Sequence, residues 1–259
     1  LIYFTLIVGI TAIIGACKKK EDDDSTAAST GGCGNLTEVS SCSSTPSGSI
    51  TGIDNQTLTG VFSTIHIYGI LGAPSGIDNE TDCISNADLL TSMKSSIGAP
   101  TGALGLIINY AVTSSSSMSG RNIWYSDTSC STEMAEYITG YTDVAVGDGV
   151  TGLTTSVGSN TYSSAANKVT YNKSCIGMKG SNAAGVTWLK TFLGSAAVNP
   201  VVGTSHACSV TSSPRYALMH LDNDTFAGGA LGMGLFWEES SSAQPTDWAS
   251  TTDTLTFMP

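Results

Sequence analysis

Period-two alternation of apolar residues is the feature that most narrows the fold. Leu104, Leu106, Ile108, Tyr110 and Val112 fall on one face of an extended chain, the pattern of a strand with one side against a core. Leu231, Met233, Leu235 and Trp237 repeat it, and Leu255 and Phe257 alternate with threonine. Further strands are expected at 57–70, 121–126, 134–146, 150–157, 168–176 and 215–221. Gly147-Asp148-Gly149 and Asp222-Asn223-Asp224 carry turn chemistry and predict hairpins. Some nine strands with mostly short links predict an all-β body, an antiparallel up-and-down barrel or a sandwich. Two helical insertions are expected. Ser85 to Asp88 reads as a capping box opening a helix to about Ile97, and residues 185–193 read as a second short helix.

Composition agrees. Only 12% of the 259 residues are charged, while 37 serines, 33 threonines and 29 glycines supply the chain, which is strand and turn material rather than that of a helical bundle. The length suits one or two domains and a sizeable core. With 21 acidic against 10 basic residues the net charge is −11. Nucleic acid is therefore excluded as a partner, because phosphate binding needs a basic face.

Leu1 to Ala16 is an apolar run of sixteen residues. A membrane-spanning helix needs about 20, whereas the apolar region of a secretory signal is about this long. No Met and no basic leader precedes Leu1, so the sequence is expected to begin inside a longer signal. The run closes on Ile14-Gly15-Ala16-Cys17. It resembles the lipobox of bacterial lipoproteins. That resemblance implies a signal peptide over 1–16 and a Cys17 diacylated on sulfur, often with a third acyl chain such as palmitate on its amine. Two or more chains suffice for stable anchoring, so the membrane is the expected partner. Lys18, Lys19 and Lys20 would sit near anionic headgroups, and Glu21 to Asp24 keep the next stretch solvated. Lys rather than Asp at position 18 implies, by the same resemblance, the outer membrane.

Residues 17–52 then read as a lipidated Ser/Thr/Gly-rich flexible tether, and 53–259 as the β-barrel domain. Six cysteines remain besides Cys17: Cys33, Cys42, Cys83, Cys130, Cys175 and Cys208. An even number at wide spacing in an exported chain reads as disulfides, with fifteen connectivities open. Zinc is the rival, but no Cys-x-x-Cys pair exists and His206-Ala207-Cys208 is the only close Cys/His pair.

The stretch from Trp124 through Tyr125-Ser126-Asp127-Thr128-Ser129-Cys130-Ser131 to Thr132, followed by Ile138-Thr139-Gly140-Tyr141-Thr142, is similar to a segment of bacterial lipocalin-like lipoproteins. Tyr216 to Leu218, Leu221 to Thr225, Pro245 to Asp247 and the closing Leu255-Thr256-Phe257 extend the likeness. Gly60-Val61-Phe62 stands where a typical lipocalin has Gly-x-Trp. The resemblance implies a lipocalin-like barrel holding a small apolar ligand. The alternative is a structural or surface-interaction lipoprotein whose core is filled by side chains. Trp124, Tyr141, Tyr171 and Trp237 either line a cavity or plug it. The expected cysteine pairing is Cys33–Cys42, as the shortest loop, with Cys83–Cys130 and Cys175–Cys208 from the strand order.

No catalytic residues and no cofactor are expected, and the chain is not read as an enzyme. There is no Gly-x-Ser-x-Gly elbow; Gly203-Thr204-Ser205-His206-Ala207 lacks the second glycine. His66 and His220 lie in strand patterns, so with His206 they are read as structural and no metal site is assigned. Asp222-x-Asp224 lacks the glycine and glutamate of a calcium loop, and Gly232-x-Gly234 sits in a strand rather than at a strand-to-helix turn. Asn35, Asn55, Asn79, Asn172 and Asn223 open Asn-x-Ser/Thr triplets that read as chance matches in so hydroxyl-rich a chain.

Overall fold

The computed structural model describes residues 31–64, 83–85, 87–154, 156–157, 160–161, 163–212, 214–225, 231–240, 242–248 and 255–258. The body is mostly antiparallel β-sheet. A short hairpin of β1 (Ser49–Ile53) and β2 (Gln56–Thr59) comes first, then β3 (Val61–Thr64) and helix α1 (Ala87–Ile97). The run of alternating residues that opens at Leu104 becomes β4 (Gly105–Ser114), which pairs with β5 (Ser117–Tyr125). After β6 (Glu133–Thr151) and a small pair, β7 (Ser156–Val157) and β8 (Asn160–Thr161), come β9 (Ala165–Gly180) and helix α2 (Ala183–Leu193). The chain ends on β10 (Ser205–Ser209), β11 (Arg215–Thr225), β12 (Leu231–Ser240) and β13 (Leu255–Met258). Helix α2 begins two residues before the expected start, because the Asn182 side chain caps it by accepting from the Gly185 N–H.

The large sheet runs β10-β9-β11-β12-β13-β3-β4-β5-β6, and β6 pairs on its free edge with β9 as well. β9 therefore holds β6 along one edge and, on the other, β11 at its start and β10 at its end. Two expected turns are corrected here. Gly147-Asp148-Gly149 is not a hairpin: β6 runs through it as one 19-residue strand, with a register shift against β9 between Val146 and Gly149. A glycine pair is as much at home in a bulge as in a turn, and the long edge of β9 decides between them. Nor does Asp222-Asn223-Asp224 turn; β11 continues to Thr225, with Asp222 opposite Gly234 and Asp224 opposite Gly232.

Strand geometry divides the apolar residues between two faces. On one face Leu106, Ile108, Trp124, Ala135, Tyr137, Ile176 and Met178 meet Trp188 and Leu189 of α2, with Leu90 and Met93 of α1. The same face continues through Val112, Met118, Tyr141, Val169, Tyr171, Ala217 and Met219. On the opposite face Ile107, Ile123 and Tyr125 cluster, and Trp248 covers Leu218 with Leu153 and Ala166.

Of the tether expected over 17–52, residues 31–52 belong to the body, and 17–30 lie outside the described residues. Asn35 donates to the Ala197 carbonyl, Val39 to Ala207, and Ser209 to Thr37, so this segment continues the sheet beyond β10. Its lack of apolar residues suggested a chain with nothing to bury, yet backbone pairing and two disulfides fix it. All six cysteines pair, but only Cys83–Cys130 follows the expected connectivity. Cys33 bonds Cys208 and Cys42 bonds Cys175. The expectation of Cys33–Cys42 and Cys175–Cys208 weighed loop length alone, whereas the docked segment lies along β10 with each cysteine against a strand. Glycine makes room for the sulfurs: a Cβ at Gly140 would collide with Cys175 Sγ, and one at Gly105 would lie 2.8 Å from Cys130 Sγ.

Candidate functional site

The β1–β2 hairpin lies on the sheet face that carries Val112, Met118, Tyr141, Val169, Tyr171 and Met219. Asp54 and Asn55 form its two-residue loop with φ of 50° and 59°, the left-handed pair that a type I′ hairpin turn requires. Ile50 stands opposite Leu58 in the hairpin register. Ile50, Ile53 and Leu58 are each at most 2% exposed and pack among Val112, Met118, Tyr141, Val169, Tyr171, Met219 and Leu221.

Both ends of the hairpin are pinned, to different strands. At its base the Ser47 N–H donates to the Val112 carbonyl of β4 at 3.1 Å and the Ser47 hydroxyl to that of Thr113 at 2.6 Å. At its tip Asp54 Oδ2 accepts from the Leu221 N–H of β11 at 2.8 Å and lies 2.8 Å from His220 Nδ1. The Asp54 N–H donates to Asn167 Oδ1 of β9 at 2.8 Å, and Gln56 Nε2 donates to the Leu221 carbonyl at 3.0 Å. Strands β5, β6 and β9 separate β4 from β11 on that side of the sheet. Four strand spacings come to about 19 Å, close to the about 16 Å that a five-residue strand spans. The hairpin thus crosses that face of the sheet from β4 to β11.

Of the aromatic residues singled out from sequence, Trp124, Tyr141 and Tyr171 are packed rather than lining open space. Trp124 is fully buried, edge-on to Trp188 with centroids 6.3 Å apart, and Trp188 stacks on Phe192 at 5.2 Å. Tyr141 meets Tyr171 edge-on at 5.3 Å. Trp237 is placed by its backbone in register with Met219. The N–H groups of Trp124 and Trp188 are buried and find no acceptor among the described residues.

His206 and His220 do not converge. His206 of β10 lies 3.9 Å from Glu38, with the Val201 N–H donating to its Nε2 at 3.4 Å. His220 belongs to the hairpin tip. His66 and Asn79 lie outside the described residues, as does Cys17. Among the described residues no group of three His, Cys, Asp or Glu is placed to hold a metal ion, and no helix is long and apolar enough to cross a membrane.

Perturbed acids mark folded turns. The exposed Asp127 carboxylate accepts from the Ser129 hydroxyl and from the N–H groups of Ser129, Ser131 and Thr132, which hold its pKa well below the ordinary range. These bonds fix the turn that carries Cys130 to Cys83. Asp247 is likewise lowered, first by the Thr154 hydroxyl. Burial pushes the Tyr125 phenol up, opposed by Arg121.

Sequence reasoning missed the hairpin, although Ile53-Asp54-Asn55-Gln56 between Ile50 and Leu58 carried its signal: two turn-forming residues flanked by apolar positions. No protein-family model matches this chain, and no curated protein matches it.

Proposed function

We propose that this chain is a lipid-anchored protein of a bacterial cell envelope, held in the outer membrane through Cys17. Its body is a lipocalin-like barrel filled by its own hairpin, and it works by contacts of its outer surface with protein or glycan partners. The observation that carries this reading is the hairpin crossing the inner face with Ile50, Ile53 and Leu58 buried there. A carrier of small apolar molecules keeps that space for its ligand; here the described part of it is taken by the chain. This favours the filled-core alternative over the ligand-binding one.

The barrel reading draws on the pairings. Passing from β9 through β11, β12, β13, β3, β4, β5 and β6, each strand pairs antiparallel with the next, and β6 pairs with β9 again. Eight strands in such a ring match an up-and-down barrel whose interior side chains can fill. The anchor draws on sequence: sixteen apolar residues ending in Gly15-Ala16-Cys17, then three lysines. Three disulfides favour an oxidising compartment outside the cytoplasm.

Acyl labelling tests the anchor. With a complete signal supplied, the chain is expected to take up labelled palmitate and to fractionate with the outer membrane, and Cys17→Ser is expected to abolish labelling and leave the precursor uncleaved. Normal labelling of Cys17→Ser overturns the assignment.

A further inference from the structure

The six paired cysteines occur in the order 33, 42, 83, 130, 175 and 208, and they pair first with last, second with fifth and third with fourth. The set is fully nested. A chain entering an oxidising compartment from its N-terminus presents Cys33 and Cys42 together, nine residues apart, before any later cysteine. Closure probability falls roughly as the three-halves power of separation, so Cys33 meets Cys42 about 90 times as often as it meets Cys208, 175 residues away. By the same scaling Cys175 meets Cys208, 33 residues on, about eight times as often as Cys42, 133 residues back. Only Cys83–Cys130 is both consecutive and native.

We infer that this chain matures through a species linked Cys33–Cys42 and Cys175–Cys208, and that it is a substrate of a thiol–disulfide isomerase. The partner is defined by its chemistry: an exposed thiolate of lowered pKa, able to attack a disulfide and leave again. Its thiolate attacks Cys42 Sγ, breaking the Cys33–Cys42 bond, forming a mixed disulfide and releasing Cys33 as a thiolate. Cys33 then attacks Cys208 Sγ, forming the native bond and releasing Cys175. Cys175 attacks Cys42 Sγ in the mixed disulfide, forming the second native bond and returning the partner's thiolate. Two disulfides are consumed and two are formed, so no oxidant is needed.

Burial fixes when the exchange happens. Cys33 and Cys208 are fully buried and Cys42 is nearly so, with residues 35–39 paired against Ala197, Ala207 and Ser209. Once that segment docks, burial shields Cys33, Cys42 and Cys208 from an external thiolate, while Cys175 is half-buried. The isomerase acts before docking, and docking then draws the exchange to the nested set. This inference rests on the proposed export with Cys17 acylated, and on the nested pairing.

The test uses the full chain, reduced and unfolded in urea, then diluted into mild detergent and reoxidised in two ways. One arm contains diamide with no free thiol; the other contains reduced and oxidised glutathione with a thiol–disulfide isomerase. Thiols are blocked at intervals and non-reduced peptides are mapped by mass spectrometry. The Cys33–Cys42 peptide is expected to predominate and persist in the first arm. In the second it forms early and gives way to Cys33–Cys208 and Cys42–Cys175. Native pairs appearing at the same rate and yield in both arms overturn the inference, as does absence of Cys33–Cys42 throughout. The double variant Cys33→Ser/Cys208→Ser removes the local trap, and its peptides can be mapped whether or not it folds. Its Cys42–Cys175 bond is expected to depend less on thiol than in the native chain, because the remaining local rival for Cys42, Cys83, is favoured only about sixfold, and undiminished dependence overturns the assignment.

Discussion

Truncating Leu58 to alanine probes the packing of the hairpin on the sheet directly. Leu58 is fully buried, cross-strand to Ile50 and surrounded by residues of β4, β5, β6, β9 and β11. Leu→Ala removes three buried carbons, and at about 0.8 kcal/mol per carbon the transfer loss is about 2.4 kcal/mol. The hairpin is pinned at base and tip, so the hole does not collapse fully and a further cavity cost brings the total to about 3–4 kcal/mol. For a domain of this size that corresponds to a fall in Tm of roughly 6–16 °C. Thr57→Ala, one residue away on the exposed side of β2, is the control and is expected to change stability by less than about 0.5 kcal/mol. Leu58→Met keeps the volume and is expected to cost less than about 1.5 kcal/mol. The assay is equilibrium urea unfolding with the disulfides intact, followed by tryptophan fluorescence. If Leu58→Ala costs less than about 1 kcal/mol and matches Thr57→Ala, the hairpin does not fill the inner face and the reasoning fails.

Two further outcomes follow from the outer face and its turns. Trp248 donates to the Ser163 carbonyl at 2.6 Å and covers Leu218; Trp248→Phe is expected to cost about 1 kcal/mol for the lost bond and Trp248→Ala about 3–5 kcal/mol, so equal urea midpoints for the two would show that the ring does not pack there. Because the Asp127 pKa is lowered in the fold, its contribution is complete above about pH 4, the ordinary carboxylate range, and is lost as pH falls from there toward the lowered value. Amide protection factors, taken relative to the intrinsic rate at each pH, are expected to fall at Ser129, Ser131 and Thr132 over that acid range in the native chain and to be low already at neutral pH in Asp127→Ala; unchanged protection in the variant would contradict the hydrogen bonds assigned to that carboxylate.

What could be read from the sequence follows the range of the forces involved. Alternation at 104–112 located β4, because burial of one face leaves a period in the residues themselves. Helix α1 was legible through the capping box read at Ser85 to Asp88, and most of α2 as a short helix over 185–193, without its Asn182 cap. Gly147-Asp148-Gly149 misled because glycine permits a turn and a bulge alike, and the choice lies with the edge of β9, a partner distant in sequence. The connectivity of Cys33 and Cys42 was illegible for the same reason: loop entropy is local and visible, whereas the strand that receives residues 35–39 comes about 170 residues later. The hairpin at Asp54-Asn55 was legible in its turn, but no local pattern says that it crosses the inner face. Composition concealed residues 31–52, since backbone pairing requires no apolar side chain.

Native mass spectrometry tests the central claim most directly. The chain, supplied with a complete signal and purified in mild detergent from its own membranes, is expected to show the mass of the polypeptide from Cys17, less six hydrogens for three disulfides, plus the acyl groups on Cys17. Denaturation is expected to release nothing else. A stoichiometric apolar molecule that leaves only on unfolding would contradict the account and restore the interior as a ligand site.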